Sequence, residues 1–305
     1  MTDQPNDAEE VKLAPPAGPR RPRIALMGEF SAGKSTLANL MIGTDPLPVQ
    51  VVATQLPPVW ISHGTQPSVI VGLDGSETPC DLGALQNINP EDVAFIRFYC
   101  EEQILEYCDI IDMPGISDPN MSSAVWERIM PLADGVVWCS PSTQAWRQSE
   151  AAVWDGIDEK TQEHSILLLT RGDMLLTPRD KEKVLKRVNG EAGTLFESIR
   201  MVSLTAARDA GDDADLWEQS GVEPFVSDFL KIIQRLEGTI ELDDPLAIVS
   251  LPLKDTLEDA QEETAAVQQT QVQPRKPVLR RPAVERPVED ASSPDELKSF
   301  MPKFS

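Results

Sequence analysis

Histidine and cysteine are scarce in this chain: its 305 residues include two histidines and four cysteines. Neither His63 nor His164 has a metal-ligand neighbour at useful spacing, which argues against a zinc enzyme. Cys80, Cys100, Cys108 and Cys139 are widely separated, and three of them lie in apolar, strand-like runs. That is the pattern of buried free thiols in a reducing compartment, not of a disulfide framework. Long apolar runs are missing as well. No stretch approaches the ~18 consecutive apolar residues of a membrane span, and the acidic opening MTDQPNDAEE lacks the apolar run of a signal peptide. A cytoplasmic protein is expected. Positive charge is in deficit, with 27 Lys+Arg against 50 Asp+Glu and a net charge of -23. Such a surface repels phosphate backbones and anionic headgroups. No nucleic-acid partner is expected, and membrane contact only indirectly or peripherally.

What the chain does have is proline at its ends and strand–helix alternation between them. Residues 1–22 are polar and proline-rich and read as a disordered leader. Residues 23–242 read as one folded domain. Residues 243–305 are acidic, then proline-rich, and cannot bury a core. Within the domain, strands are predicted at Arg23–Gly28, Val59–Ser62, Ser68–Gly72, Ala94–Cys100, Leu105–Asp112, Gly135–Ser140, Ser165–Thr170 and Ile199–Ser203. Helices are predicted at Lys34–Ile42, Ser122–Leu132, Gln148–Ile157, Arg179–Phe196 and Pro224–Leu236, with residues 73–92 as loop. Unbroken apolar strands alternating with helices argue for an α/β fold: a mostly parallel sheet with helices on both faces. The strands near residue 60, joined through HGTQP, are expected to form one antiparallel hairpin.

The strongest local signal is GEFSAGKS, Gly28 to Ser35, placed between a strand and a helix. It satisfies G-x-x-x-x-G-K-[ST] in the context that gives the pattern meaning. Gly28 and Gly33 let the backbone turn so that N–H groups along Glu29, Ser31, Ala32 and Thr36 can meet phosphate oxygens, and the helix adds its positive end. Lys34 would neutralise the β- and γ-phosphates, and the Ser35 hydroxyl would take a place on magnesium. DMPG, Asp112 to Gly115, follows an apolar strand. Asp112 would hold a magnesium-bound water and the Gly115 N–H would meet the γ-phosphate. TRGD, Thr170 to Asp173, ends the strand SILLL. A carboxylate there can accept two hydrogen bonds from guanine, a pair that adenine does not offer, while Arg171 lays its stem along the base. Each motif alone could be a turn. The three in this order, each after a strand, point to a P-loop GTPase that takes GTP or GDP with Mg2+.

With these residues in view, GEFSAGKSTLANLMIG, Gly28 to Gly43, resembles the opening of the bacterial dynamin-like GTPases. Thr54-Gln55-Leu56-Pro57 is similar to that family's first switch. The resemblance implies that Thr54 supplies a hydroxyl to magnesium and a backbone contact to the γ-phosphate; Thr44 competes for that role but sits close to the first helix. It also implies that Ser203 to Ala206, SLTA, lends backbone N–H groups to guanine. Two departures matter. No segment has the length or periodicity of the family's helical stalk. Phe30 stands where eukaryotic dynamins carry a catalytic glutamine, and Ile116 stands where Ras-like proteins carry theirs. Hydrolysis, with Lys34, Thr54 and Gly115 as its catalytic groups, is therefore expected to be slow, with an unidentified protein partner or a homodimer through the nucleotide face completing the site.

Two further features stand out. In TQAWRQSE, Trp146 and Arg147 would suit an interface, although a tryptophan that covers the sheet edge is the plainer and preferred alternative. In PDELKSFMPKFS, Leu297, Phe300, Met301 and Phe304 recur at helical spacing, behind Pro294 and Asp295 and interrupted at Pro302, which reads equally as a short docking helix or as chance apolar residues in a disordered end. The leading reading is a nucleotide switch for a partner protein. The alternatives are an accessory subunit of a membrane-remodelling dynamin-like system and, least favoured on charge, a ribosome-assembly GTPase.

Overall fold

The computed structural model of the chain describes residues 20–43, 56–80, 85, 88–118, 121–211 and 213–237. The proposed leader and tail lie almost wholly outside these residues, as do Thr44, Thr54 and the docking segment. Nine strands form one sheet: β1 Arg23–Gly28, β2 Val59–His63, β3 Val69–Gly72, β4 Glu77–Pro79, β5 Val93–Cys100, β6 Asp109–Asp112, β7 Gly135–Pro141, β8 Ser165–Thr170 and β9 Ser198–Met201. Their order across the sheet is β4-β3-β5-β2-β6-β1-β7-β8-β9. β6, β1, β7, β8 and β9 run parallel. β2 is parallel to β5 and antiparallel to β6.

The helices are α1 Lys34–Ile42, α2 Ala124–Glu127, α3 Gln148–Trp154, α4 Glu159–Gln162, α5 Pro178–Ala192, α6 Leu204–Ala210, α7 Ala214–Ser220 and α8 Val222–Glu237. They cover both faces of the sheet. Alternate residues of β1 go to opposite sides, as the pleat requires. Ile24 and Leu26 join a core with Leu37 and Met41 of α1 and Phe225, Phe229 and Ile233 of α8. Ala25 and Met27 join a second core with Trp138, Trp154, Val188 and Phe196. Because both faces of the central strands are buried, their sequences are continuous apolar runs.

The expected α/β architecture stands, with several local corrections. The antiparallel hairpin is β3 with β4, whereas β2 and β3 are separated by β5. Only Asp109–Asp112 of the run from Leu105 is strand, because residues Gln103–Glu106 form a 3-10 turn whose Ile104 and Leu105 are buried from a non-strand conformation. The expected helix over 122–132 stops at Glu127 and resumes as a 3-10 turn at Met130–Leu132. Pro131 lacks the N–H that a continuous helix needs. The helices α6 and α7 were not foreseen. Each has a side-chain cap, Ser203 accepting from the Ala206 N–H and Asp213 from the Leu216 N–H, and such caps are a readable start signal.

Candidate functional site

Parallel strands place their carboxyl ends on one edge of the sheet, where α/β proteins bind ligands. Here β1, β6 and β8 end at Gly28, Asp112 and Thr170. The three motifs, spread over 146 positions of sequence, therefore meet at one cleft of about 890 Å³. Its lining includes Ser31 to Thr36, Asp112, Gly115, Thr170, Arg171 and Asp173.

The phosphate loop is shaped by backbone that most residues avoid. Gly28 has φ +135°, and a Cβ there would lie 2.0 Å from the Cys139 carbonyl oxygen. Only glycine lets β1 turn this close to β7. Ser31 and Gly33 also have positive φ, +58° and +94°, and such alternation points successive N–H groups into one concavity. Lys34 opens α1 and is buried. Its Nζ donates to the carbonyl oxygens of Gly28 at 3.1 Å and Glu29 at 2.8 Å. Burial lowers the Lys34 pKa, and the negative charge of Asp112 opposes that shift. Burial raises the Asp112 pKa, opposed by a hydrogen bond from Ser35 and by Lys34. Each charge is costly alone, and each offsets the cost of the other.

Gly115 lies against the loop from the far side. A Cβ at this position would sit 2.7 Å from both the nitrogen and the Cα of Phe30. The Ile116 N–H donates to the Gly28 carbonyl at 3.2 Å, and the Phe30 N–H donates to Ser117 Oγ at 3.2 Å. The base-side motif is tied to the same loop. Thr170 Oγ1 donates to the Ala32 carbonyl at 2.7 Å, and the Arg171 guanidinium donates to the Ser31 carbonyl at 2.8 Å. Arg171 has φ +55° and opens a 3-10 turn over Gly172–Met174 that leaves Asp173 exposed. Ser203 is buried and its hydroxyl takes the Ala206 N–H, while Leu204 and Thr205 between them line the cleft.

A magnesium ion fits the residues present. Asp112 Oδ1 is buried with no hydrogen-bond partner among the described residues, and the Ser35 hydroxyl lies beside the same carboxylate. A hydroxyl and a carboxylate are hard oxygen ligands of the kind magnesium takes, usually with waters and phosphate oxygens completing the set. No group of three or more His, Cys, Asp or Glu side chains among the described residues could hold a metal unaided.

Sequence reasoning missed several cleft residues. Asp118, Met121 and Met174 reach the cleft from positions that no motif covers, whereas Leu56 and Pro57, which also line it, belong to the first-switch motif. Phe30 is 63% and Met174 60% exposed, which places apolar surface at the cleft mouth. Trp146 is buried in an edge-to-face cluster with Trp138, Trp154 and Phe196, so it covers the sheet as the plainer alternative held. Arg147 does something the sequence did not disclose: it pairs with Glu29 of the phosphate loop.

Comparison with known proteins places the chain further. Residues 24–171 match the Dynamin family. Dynamin-like protein 2 of Campylobacter jejuni is 24% identical over 242 residues, covering 77% of this chain and 38% of that protein. The isoniazid-induced protein IniC of Mycobacterium tuberculosis is 31% identical over 125 residues, 37% of this chain and 25% of that protein. This chain thus spans well under half the length of these relatives. A solved structure described as an oligomerised bacterial dynamin pair for long-range sensing and tethering of membranes aligns with a TM-score of 0.49 at 20% identity, over 71% of this chain and 37% of that one. Among the described residues no helix is long and apolar enough to cross a membrane.

Proposed function

We propose that this chain, whose residues 24–171 match the Dynamin family, is a cytoplasmic, magnesium-dependent guanine-nucleotide switch that hydrolyses GTP slowly and acts on a partner protein. The observation that carries this reading is the hydrogen bond from Thr170 to Ala32. It seats the base-side turn against the phosphate loop, so that a single nucleotide could present its base to Asp173 and its phosphates to Lys34.

The roles follow from placement. Backbone N–H groups of residues 31–36 and the Lys34 ammonium take the phosphates, and Asp173 reads the guanine edge. Ser35 and Asp112, with Thr54 from outside the described residues, would hold magnesium, which neutralises phosphate charge when bound. Gly115 rests on the loop that cradles the phosphates, so a γ-phosphate contact there would move the segment after it, the usual logic of a nucleotide switch. Phe30 projects into solvent, and Ile116 packs toward the second core. Neither side chain can orient an attacking water.

Turnover by the isolated protein is therefore expected to stay at or below the intrinsic Ras-like range, on the order of 10⁻⁴ to 10⁻³ per second. The rate per molecule should rise with protein concentration, since exposed Phe30 and Met174 give the nucleotide face a surface that a second copy can cover. Single-turnover assays across a concentration series check both points. A fast, concentration-independent rate would reveal an internal catalytic group at odds with this reading.

A second reading has support from the family match itself: an accessory subunit in a membrane-remodelling system. Liposome flotation with GTP analogue and with GDP separates the two. Nucleotide-dependent flotation of the purified chain favours the second, and its absence together with nucleotide-dependent capture of a soluble protein favours the first.

A further inference from the structure

Glu29 is an odd residue to find in a loop built for phosphate. It is the second position of the loop, its backbone carbonyl accepts from Lys34 Nζ, and its carboxylate is an anion beside the place where a polyanion must bind. Its side chain is only 9% exposed, so water does little to screen it.

Two groups from the loop and helix after β7 hold that carboxylate. Arg147 Nη1 donates to Glu29 Oε2 at 2.5 Å, and Ser149 Oγ donates to Oε1 at 2.7 Å. Arg147 is itself fixed by a buried anchor. Its backbone N–H donates at 2.8 Å to Oε2 of Glu150, which is fully buried and also accepts from Trp138 Nε1 at 2.9 Å and Ser140 Oγ at 2.9 Å. Ser140 Oγ in turn accepts the Trp146 N–H at 3.0 Å. The turn that carries Arg147 is thus clamped to β7, and Trp146, at φ +57°, is packed under it. Such a network fixes geometry only when every buried polar group in it is satisfied, and here the carboxylates of Glu29 and Glu150 are. Ion pairs on a surface contribute little, but this one has a buried carboxylate, two donors and a pinned arginine backbone.

We propose that Arg147 is a positioning residue for phosphate binding: its guanidinium neutralises Glu29 and ties the phosphate loop to β7, so that the loop offers a nucleoside triphosphate donors instead of an uncompensated anion. Without the guanidinium, the Glu29 carboxylate loses its partner, and the repulsion falls on the ligand. GTP, with one more negative charge than GDP, suffers more.

The inference rests on the cleft being a triphosphate site. Fluorescent GTP and GDP titrations of the full chain, with thermal unfolding in parallel, test it on Arg147→Ala, Arg147→Lys, Glu29→Gln and the Glu29→Gln/Arg147→Ala double variant. Removing one partner of a desolvated ion pair is a large perturbation, so Arg147→Ala is expected to weaken GTP about tenfold or more, and GDP less. Arg147→Lys should retain part of the affinity. The double variant should recover to within about threefold of wild type, because without the anion there is nothing to neutralise. A merely structural arginine would lower the unfolding temperature and weaken GTP and GDP alike, whereas a positioning role weakens GTP more than GDP at an unchanged unfolding temperature. Unchanged GTP affinity in Arg147→Ala overturns the proposal, as does a double variant that stays as weak as the single one. If Arg147→Ala does not fold, Glu29→Gln alone decides: affinity at or above wild type supports the proposal, and a tenfold loss contradicts it. Failure of the wild type to bind GTP would instead remove the triphosphate reading itself.

Discussion

A Lys34→Ala protein is expected to keep its fold and to lose measurable binding of both GTP and GDP. The ammonium is buried at the start of α1, 3.1 Å and 2.8 Å from two loop carbonyls, with Asp112 as its chief opposing charge. In the proposed nucleotide complex that charge would face phosphate oxygens inside the loop. Hydrogen bonds to charged groups contribute about 1.5–3 kcal/mol each. Losing two of them, along with the only ammonium in the cleft lining among the described residues, weakens binding by about three orders of magnitude or more. The loop itself should survive the loss of the two Lys34 bonds, because positive-φ backbone and the Thr170 and Arg171 bonds still hold its shape. Calorimetric titration with thermal unfolding as a folding control checks this. Unchanged GTP affinity in a folded Lys34→Ala protein would contradict the assignment of the phosphate loop.

The second large effect concerns the base. Asp173→Asn is expected to lose about 3 kcal/mol or more of guanine-nucleotide affinity, since a carboxylate that accepts two hydrogen bonds becomes an amide that presents a donor to a donor. The same variant should gain affinity for xanthine nucleotide, which replaces the 2-amino donor by a carbonyl acceptor. The turn should tolerate the change. Asp173 is exposed, and the turn is held by the Gly172 N–H on the Val202 carbonyl and by Ser142 Oγ on the Arg171 carbonyl. Competition titrations of GTP against xanthosine triphosphate on wild type and variant test the exchange. Loss of both nucleotides would indicate a damaged turn, and retention of GTP would remove Asp173 from the base site.

Much of the cleft was legible because its chemistry is local in sequence. Eight consecutive residues from Gly28 carry the backbone turns, the lysine and the hydroxyl, and their flanking elements were readable from apolar runs. The same holds for Asp112-x-x-Gly115 and for Thr170 to Asp173, each at the end of a buried strand. Strand order was not legible: nothing in the run from Val59 to Gly72 says that β5, over 20 residues later, inserts between β2 and β3. Nor was the partner of Glu29, since Arg147 lies 118 positions away and looked like surface. Side-chain pairings at that separation depend on register between strands, which periodicity does not encode. The helices α6 and α7 escaped for a different reason. Their apolar residues are sparse, and the caps at Ser203 and Asp213 were the available clue. The first switch, at Thr54, lies outside the described residues, and its role remains part of the proposal.

The most direct measurement is a competition titration of the wild-type chain with GTP and ATP, with and without magnesium. A site built from Lys34, Asp112 and Asp173 should take GTP at least about a hundredfold more tightly than ATP, because adenine leaves the Asp173 carboxylate without its two donors. Removing magnesium should weaken GTP more than GDP. Equal affinity for ATP and GTP would contradict the account at its centre.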